Sequence, residues 1–280
     1  MAEPSGGMTI RTLGTFVFSS AGHTVQRWRA GKARNLLQFL LLHKGHVMTR
    51  TALEEALWPG FSNTSNSSSL KVAVHMLRST LAEQNQRAAA NCDGSKSRPH
   101  LRLTTHELGY ALEARDVWVD FEVFDGLIST SQAYFNQGDT QKAAQCCAKA
   151  VDLYQGDFLA GETMHWADVQ RTWLRSRALL ALERLIECDI TSRDYLAAVT
   201  HCRAILDMEP YREQTYRTLI MIHAHLGHLQ QVREWYKVCL SRLERELGVG
   251  PDRLTVSVYE RAMRGKFRTV PLDGPECLGV

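Results

Sequence analysis

Five side chains on one predicted helix carry the chemistry this sequence offers. Between about Ser68 and Glu83, at roughly 100° per residue, Lys71, His75 and Arg78 fall on one arc, with Ser68 and Ser79 at its edge. Lysine and arginine neutralise phosphate, while histidine and serine present donors and acceptors to base edges, so the group suits a nucleic-acid duplex. The other side of the same helix carries Leu70, Val74, Leu77 and Leu81 at i, i+4, i+7 and i+11, a stripe that anchors in a core. Lys44 and Arg50 lie near helix ends, where they reach phosphate or complement a helix dipole. In a predicted hairpin, Arg102 alternates with Leu101 and Leu103 and so leaves the core, with Thr105 and His106 at the turn beyond it.

Other chemistries lack their residues. There is no G-x-G-x-x-G, no G-x-x-x-x-G-K-[ST] and no H-E-x-x-H, so no nucleotide cradle or zinc hydrolase site is encoded by those patterns, and the chain is expected to be no enzyme and to need no cofactor. The seven cysteines are odd in number with no C-x-x-C, which argues against a disulfide framework or a zinc site and for apolar fillers in a reducing compartment. His223 and His225 point apart on a helix, as do Cys146 and Cys147, so neither pair makes a metal or redox centre. No basic segment leads into an apolar run at the N-terminus, and the longest apolar stretch, Leu36 to Leu42, is far short of a membrane span. The expected compartment is the cytoplasm.

The elements that must hold the basic arc can be read around it. Met8 to Phe18 reads as a strand and Thr24–Trp28 as a second, paired across Ser-Ser-Ala-Gly. Lys32 to His43 carries the stripe Leu36, Leu37, Leu40, Leu41 of a buried helix that Gly45 ends. Thr49 or Thr51 caps a short second helix stopped at Pro59-Gly60, and Thr51-x-x-Glu54 has the form of a capping box. The polar run 62–69 reads as a loop leading to the basic-faced helix, and 84–100, with Lys96, Arg98 and His100, as a second loop. A hairpin follows, strands 101–105 and 110–114 joined through His106-Glu107-Leu108-Gly109. Strands, helix, helix, basic-faced helix and hairpin in this order make a winged helix-turn-helix, whose third helix enters the major groove while the wing lies along the neighbouring groove or backbone.

Charge divides at the same place. Residues 1–115 hold 14 Lys and Arg against 7 Asp and Glu, whereas 116–280 hold 19 against 23, so a near-neutral chain of net +3 hides a basic front half. Beyond Asp116 the pattern is helical and repeated. Gly138, Arg193 and Gly227 each separate two helical patterns, with Ala143, Ala198 and Val232 five positions on and Ala150, Ile205 and Cys239 twelve on. The last two registers are 34 residues apart, the tetratricopeptide period, and the first precedes by that period plus an insert of 21 whose turn signals lie in QGDFLAGETMHWADVQ. Trp166, Trp173 and Tyr195 are expected to pack inside this array. The fold class is mainly α with a small α+β N-terminal part: a winged helix over 1–115, an all-α tetratricopeptide-like repeat domain over 116–264, and a mobile tail over 265–280 with no part in the fold.

Both halves resemble known families. KARNLLQFLLLHKGHVMTRTALEEALWPG, LKVAVHMLRSTL and LGYALEA resemble the OmpR-type winged helix of bacterial regulators, with Leu77-Arg78 and Gly109-Tyr110 the most specific matches. That resemblance implies groove-facing positions for Ser68, His75 and Arg78 and places Trp58 near the sugar–phosphate backbone. YQGDFLAG, the W-A-D-x-Q-R-x-W-L run from Trp166, DYLAAV, DMEPYRE and LERELGVGPDRLTVSVYE resemble the bacterial transcriptional activator domain. The arrangement is similar to the small form of the Streptomyces antibiotic regulatory protein family. What this implies is a transcriptional activator of a biosynthetic cluster that binds direct repeats in double-stranded DNA as a homodimer or as paired protomers and contacts RNA polymerase, through its sigma factor. No NTPase and no phosphoacceptor receiver domain is expected. A bidentate Arg78–guanine pair would make the alanine variant lose about 1–3 kcal/mol at one base. Two other readings use the same residues: a tetratricopeptide adaptor that binds protein alone, and a repressor of the same fold.

Overall fold

The computed structural model describes residues 7–26, 28, 31–60, 65–90 and 100–267. The architecture is mainly α with a small α+β N-terminal part: a winged helix followed by paired helices. The chain forms two compact units, Met1–Gly126 with Leu153–Ser176, and Leu127–Asp152 with Arg177–Val280.

In the first unit β1 (Met8–Arg11) pairs antiparallel with β2 (Val17–Ser20), which pairs with β3 (His23–Thr24). The single strand expected over Met8–Phe18 is therefore two. The break has a cause: the Thr12 and Leu13 amides leave the ladder to bind the Asp120 carboxylate, each about as short as a charge-assisted bond should be at 2.7–2.8 Å. Trp28 is no strand residue; its ring packs on Phe16 and Phe18.

Helix α1 (Gly31–Leu42) buries Leu36, Leu37, Leu40 and Leu41 as its stripe requires. After β4 (Met48–Thr49), Thr49 caps α2 (Arg50–Leu57) by accepting from the Ala52 amide; Thr51 lies inside the helix. Helix α3 (Ser65–Ala90) is longer at both ends than its periodicity suggested. Gln84 and Ala88, 2% and 0% exposed, continue the buried stripe past Leu81, and the polar glutamine hides that continuation from a hydrophobicity count. Lys96 and Arg98 lie outside the described residues.

The hairpin forms as expected, β5 (His100–Thr105) against β6 (Gly109–Arg115), with β4 on the far side of β6. A short β7 (Val117–Val119) then runs parallel to β1, completing the order β3-β2-β1-β7. Three residues are too few to show a period, so this strand leaves no sequence signal. Asp120 opens α4 (Asp120–Asn136).

Segment 153–176 belongs to the same unit. Leu13 bridges Phe158, and the Gly14 amide donates to the Asp157 carbonyl. Where α6 (Trp166–Ser192) begins, Trp166 meets Phe39 of α1 edge to face at 5.3 Å, and Arg34 and Gln38 of α1 both donate to the Glu162 carboxylate. Trp166 thus packs on the winged helix and not within the repeats. Trp173 is 52% exposed, contrary to the expected packing role.

The second unit contains α5 (Thr140–Leu153), α7 (Tyr195–Met208), α8 (Glu213–His225), α9 (Leu229–Arg242), a π-helical turn (Leu243–Leu247) and α10 (Arg253–Met263). Gly138, Arg193 and Gly227 all adopt left-handed backbone, with φ of 80°, 61° and 78°. Each ends one helix and turns into the next, a conformation that favours glycine and costs Arg193. At plus five and plus twelve, Ala143, Ala198, Val232, Ala150, Ile205 and Cys239 are all at most 3% exposed. The 21-residue insert is spread over a connection, 154–165, longer than its counterpart at 209–212, and an α6 longer than α8.

Phe267 corrects the expectation for the tail. It is 2% exposed in the core of this unit, its carbonyl accepts from His225 Nδ1, and Arg261 stacks over its ring. Burial pushes the Cys202 and Cys239 thiols up to about 12, consistent with inert fillers. Among the described residues no group of His, Cys, Asp or Glu could hold a metal ion, and no helix is long and apolar enough to cross a membrane.

Burial and the neighbouring His228, whose ring lies 6.0 Å away, hold the His223 imidazole below the ordinary histidine range. The unfolded chain then takes up a proton at about pH 6.5 that the folded one resists, so stability is lost as pH falls through that value. The unfolding midpoint should drop between pH 7.5 and 5.5, and by less in His223→Gln. An equal drop in both proteins would remove His223 as a cause.

Candidate nucleic-acid interface

The interface is built on α3. Its stripe Leu70, Val74, Leu77 and Leu81, each at most 3% exposed, packs toward α1 and α2. That anchoring turns Ser68, Lys71, His75, Arg78 and Ser79 outward, and all five are exposed. They share one face of a rigid element, the requirement for entering a groove.

The wing sits beside this face. Arg102, Thr105 and His106 are exposed, and the His106 ring approaches the Thr104 hydroxyl at 3.1 Å. The turn closes through paired bonds between His106 and Gly109, leaving Leu108 68% exposed at its tip. At Gly109 a Cβ would lie 1.8 Å from the Met48 carbonyl oxygen, so only glycine lets β4 approach the wing here.

The remaining predicted residues divide. Arg50 belongs to the face: it donates to the Glu107 carbonyl at 2.7 Å and its amide donates to that of Leu108, tying the start of α2 to the wing tip. Arg50 and Arg78 each lie 5.9 Å from the ring of Tyr110, which is itself buried. Lys44 pairs with Glu122 at 2.6 Å, so its charge is largely spent on an acidic neighbour. Trp58 is half-buried with Lys32 over its ring at 5.6 Å. A cavity of about 370 Å³ there is lined by Lys32, Trp58, Ser68, Ser69, Val72 and Ala73.

Two residues of this surface escaped the sequence reading. Lys32 also donates to the Leu57 carbonyl and so presents its charge at the end of α2, next to Trp58. Asn85 bonds both main-chain groups of Leu101 on β5. The signal was its spacing, two helical turns after Arg78 on the same face, but a helix ending at Glu83 places it in a loop.

The first half of the chain carries a match to the family described as transcriptional regulatory protein, C terminal, over residues 28–91. Residues 119–262 match the bacterial transcriptional activator domain. Among curated relatives, the regulatory protein AfsR of Streptomyces griseus is 23% identical over 90% of this chain and 25% of its own length. AfsR of Streptomyces coelicolor is 25% identical over 89% and 23%. The chain thus spans about a quarter of the length of these two relatives. The transcriptional regulator RedD of Streptomyces coelicolor is 27% identical over 89% of this chain and 68% of its own. A solved structure of Mycobacterium tuberculosis EmbR in complex with a low affinity phosphopeptide superposes with a TM-score of 0.69, covering 94% of this chain and 68% of that one at 20% identity, a likeness of fold. With the activator domain matched over half of its length and a regulatory winged helix ahead of it, the chain belongs to the bacterial transcriptional activator domain family, in the two-domain arrangement of the Streptomyces antibiotic regulatory proteins.

Proposed function

We propose that the protein is a sequence-specific DNA-binding transcriptional activator of a secondary-metabolite cluster. In this reading α3 enters the major groove of each direct repeat, the wing follows the neighbouring groove, and the helical repeats align paired protomers and contact RNA polymerase through its sigma factor. The observation that carries it is the exposed polar and basic face of α3, backed by a fully buried stripe and flanked by a wing that exposes Arg102, Thr105 and His106. Its mechanism is recruitment: phosphate contacts set register, and Ser68, Lys71, His75 and Ser79 offer donors and acceptors to base edges.

Salt tests the reading. Duplexes selected by the chain from a random-sequence pool should bind with an affinity that falls steeply with salt, and Arg102→Ala should weaken all sequences alike and lower the log–log slope by about 1. An adaptor would give no saturable binding. Run-off transcription from a promoter carrying the selected repeat should rise with added protein, and a fall would make it a repressor.

A further inference from the structure

β5 lies at the open edge of the sheet β4-β6-β5, yet both main-chain groups of Leu101 and the carbonyl of Leu103 on it are bonded by side chains of α3. Arg78 donates from Nε and Nη2 to the Leu103 carbonyl at 3.3 and 3.2 Å, and from Nη2 to Thr105 Oγ1 at 2.6 Å. Seven residues on, Asn85 Nδ2 donates to the Leu101 carbonyl at 2.8 Å while Oδ1 accepts from the Leu101 amide at 3.0 Å. Two turns along one helix face meet alternate residues along one strand edge, and the Asn85 amide bonds β5 as a neighbouring peptide would. Between these contacts runs a groove of about 620 Å³ along α3 and β5.

We propose that Arg78 and Asn85 form a clamp that fixes the wing at a set angle to the recognition helix, and that Arg78 is a positioning residue for DNA binding and not a reader of guanine. This rests on the DNA-binding reading above. Reading guanine O6 and N7 takes two guanidinium N–H groups aimed the same way. Nε and Nη2 already serve Leu103 and Thr105, which leaves only the two diverging hydrogens of Nη1 and no fork. The nearby Tyr110 ring backs the same guanidinium. Base reading then falls to Ser68, Lys71, His75 and Ser79, while the clamp removes the wing's freedom before DNA arrives, lowering the ordering cost of binding.

Asn85→Ala tests this without changing charge. On the duplex selected from a random pool by the wild-type chain, it should bind about tenfold more weakly, the scale of one or two lost hydrogen bonds. The salt slope should be unchanged, the loss equal on every single-base variant of the duplex, and hydroxyl-radical protection missing under the wing alone. Arg78→Ala should show the same uniform loss and the same missing protection. Amide exchange along β5 should quicken in Asn85→Ala while α3 keeps its protection. Arg78→Lys, which keeps the charge and gives up the fork, carries the test should Asn85→Ala fail to fold. Binding by Asn85→Ala within twofold of wild type with the wing footprint intact overturns the clamp, as does a loss in Arg78→Ala confined to one base pair. If the wild-type chain selects no duplex, the DNA-binding reading falls and the role of Arg78 on DNA with it; β5 exchange unchanged by Asn85→Ala then overturns the clamp as well.

Discussion

Asp120→Ala should destabilise the first unit by about 4 kcal/mol, the largest loss expected from any single side chain here. The carboxylate is 2% exposed and accepts from the Thr12, Leu13 and Phe121 amides and from the Thr12 hydroxyl, all within 2.8 Å. Burial pushes its carboxyl above the usual range, and the four donors pull it part of the way back. Alanine removes the charge and strands three main-chain donors, each worth about 1–3 kcal/mol when buried without an acceptor. In a unit of this size that corresponds to a fall of roughly 10 °C in the unfolding midpoint. Asp120→Asn, which keeps one carbonyl oxygen, should lose less. A midpoint within about 2 °C of wild type for the alanine variant would mean that the carboxylate is not what joins the end of β1 to the start of α4.

Gly109→Ala should disable the wing. The added Cβ would stand 1.8 Å from the Met48 carbonyl oxygen, 2.8 Å from its carbon and 2.9 Å from Thr49 Cα, all main-chain atoms that yield only if β4 moves. Moving β4 displaces Thr49, which caps α2, and the bond from the Arg50 amide to the Leu108 carbonyl. The expected cost is about 3 kcal/mol of stability, the upper range of an overpacked site, together with at least tenfold weaker binding to the selected duplex. Helical circular dichroism should be retained, since the clash is confined to the sheet. Binding within twofold of wild type would show that β4 relaxes freely and that the wing angle tolerates it.

The two variants mark the limits of what the residues disclose. The repeat register was legible because it rests on local chemistry: a left-handed turn recurs at Gly138, Arg193 and Gly227, and small or branched residues recur at fixed offsets where helices touch. The face of α3 was legible for the same reason, since an amphipathic period is written in one continuous segment. The division of Met8–Phe18 into two strands was not, because its cause sits at Asp120, more than a hundred residues away. Asn85 was hidden because a side chain that bonds the main chain of a strand leaves no periodic trace. Trp166 and Trp173 misled because aromatic character predicts burial on average, whereas their packing depends on which tertiary neighbour arrives. Phe267 follows a turn through Gly265 in a segment with no period, and only the closing of the α8–α10 core shows that it is needed.

The parallel pairing of β1 with β7 bears on the order in which the protein can be made. β2, which shares its sheet with β1, also braces α3, through the bond from the Ser20 hydroxyl to the Gln84 carbonyl. A nascent chain paused after the wing has every helix of the winged helix but leaves one edge of β1 open and the Thr12 and Leu13 amides unmet. Closing loops of this length waits for the distant partner to leave the ribosome. Only when the chain has been translated past Asp120, and then past Asp157 and Phe158, does the N-terminal sheet close. Chains broken off before Asp116 therefore keep an unfinished edge, open to proteolysis, while the finished winged helix appears only on chains that already carry the start of the helical half.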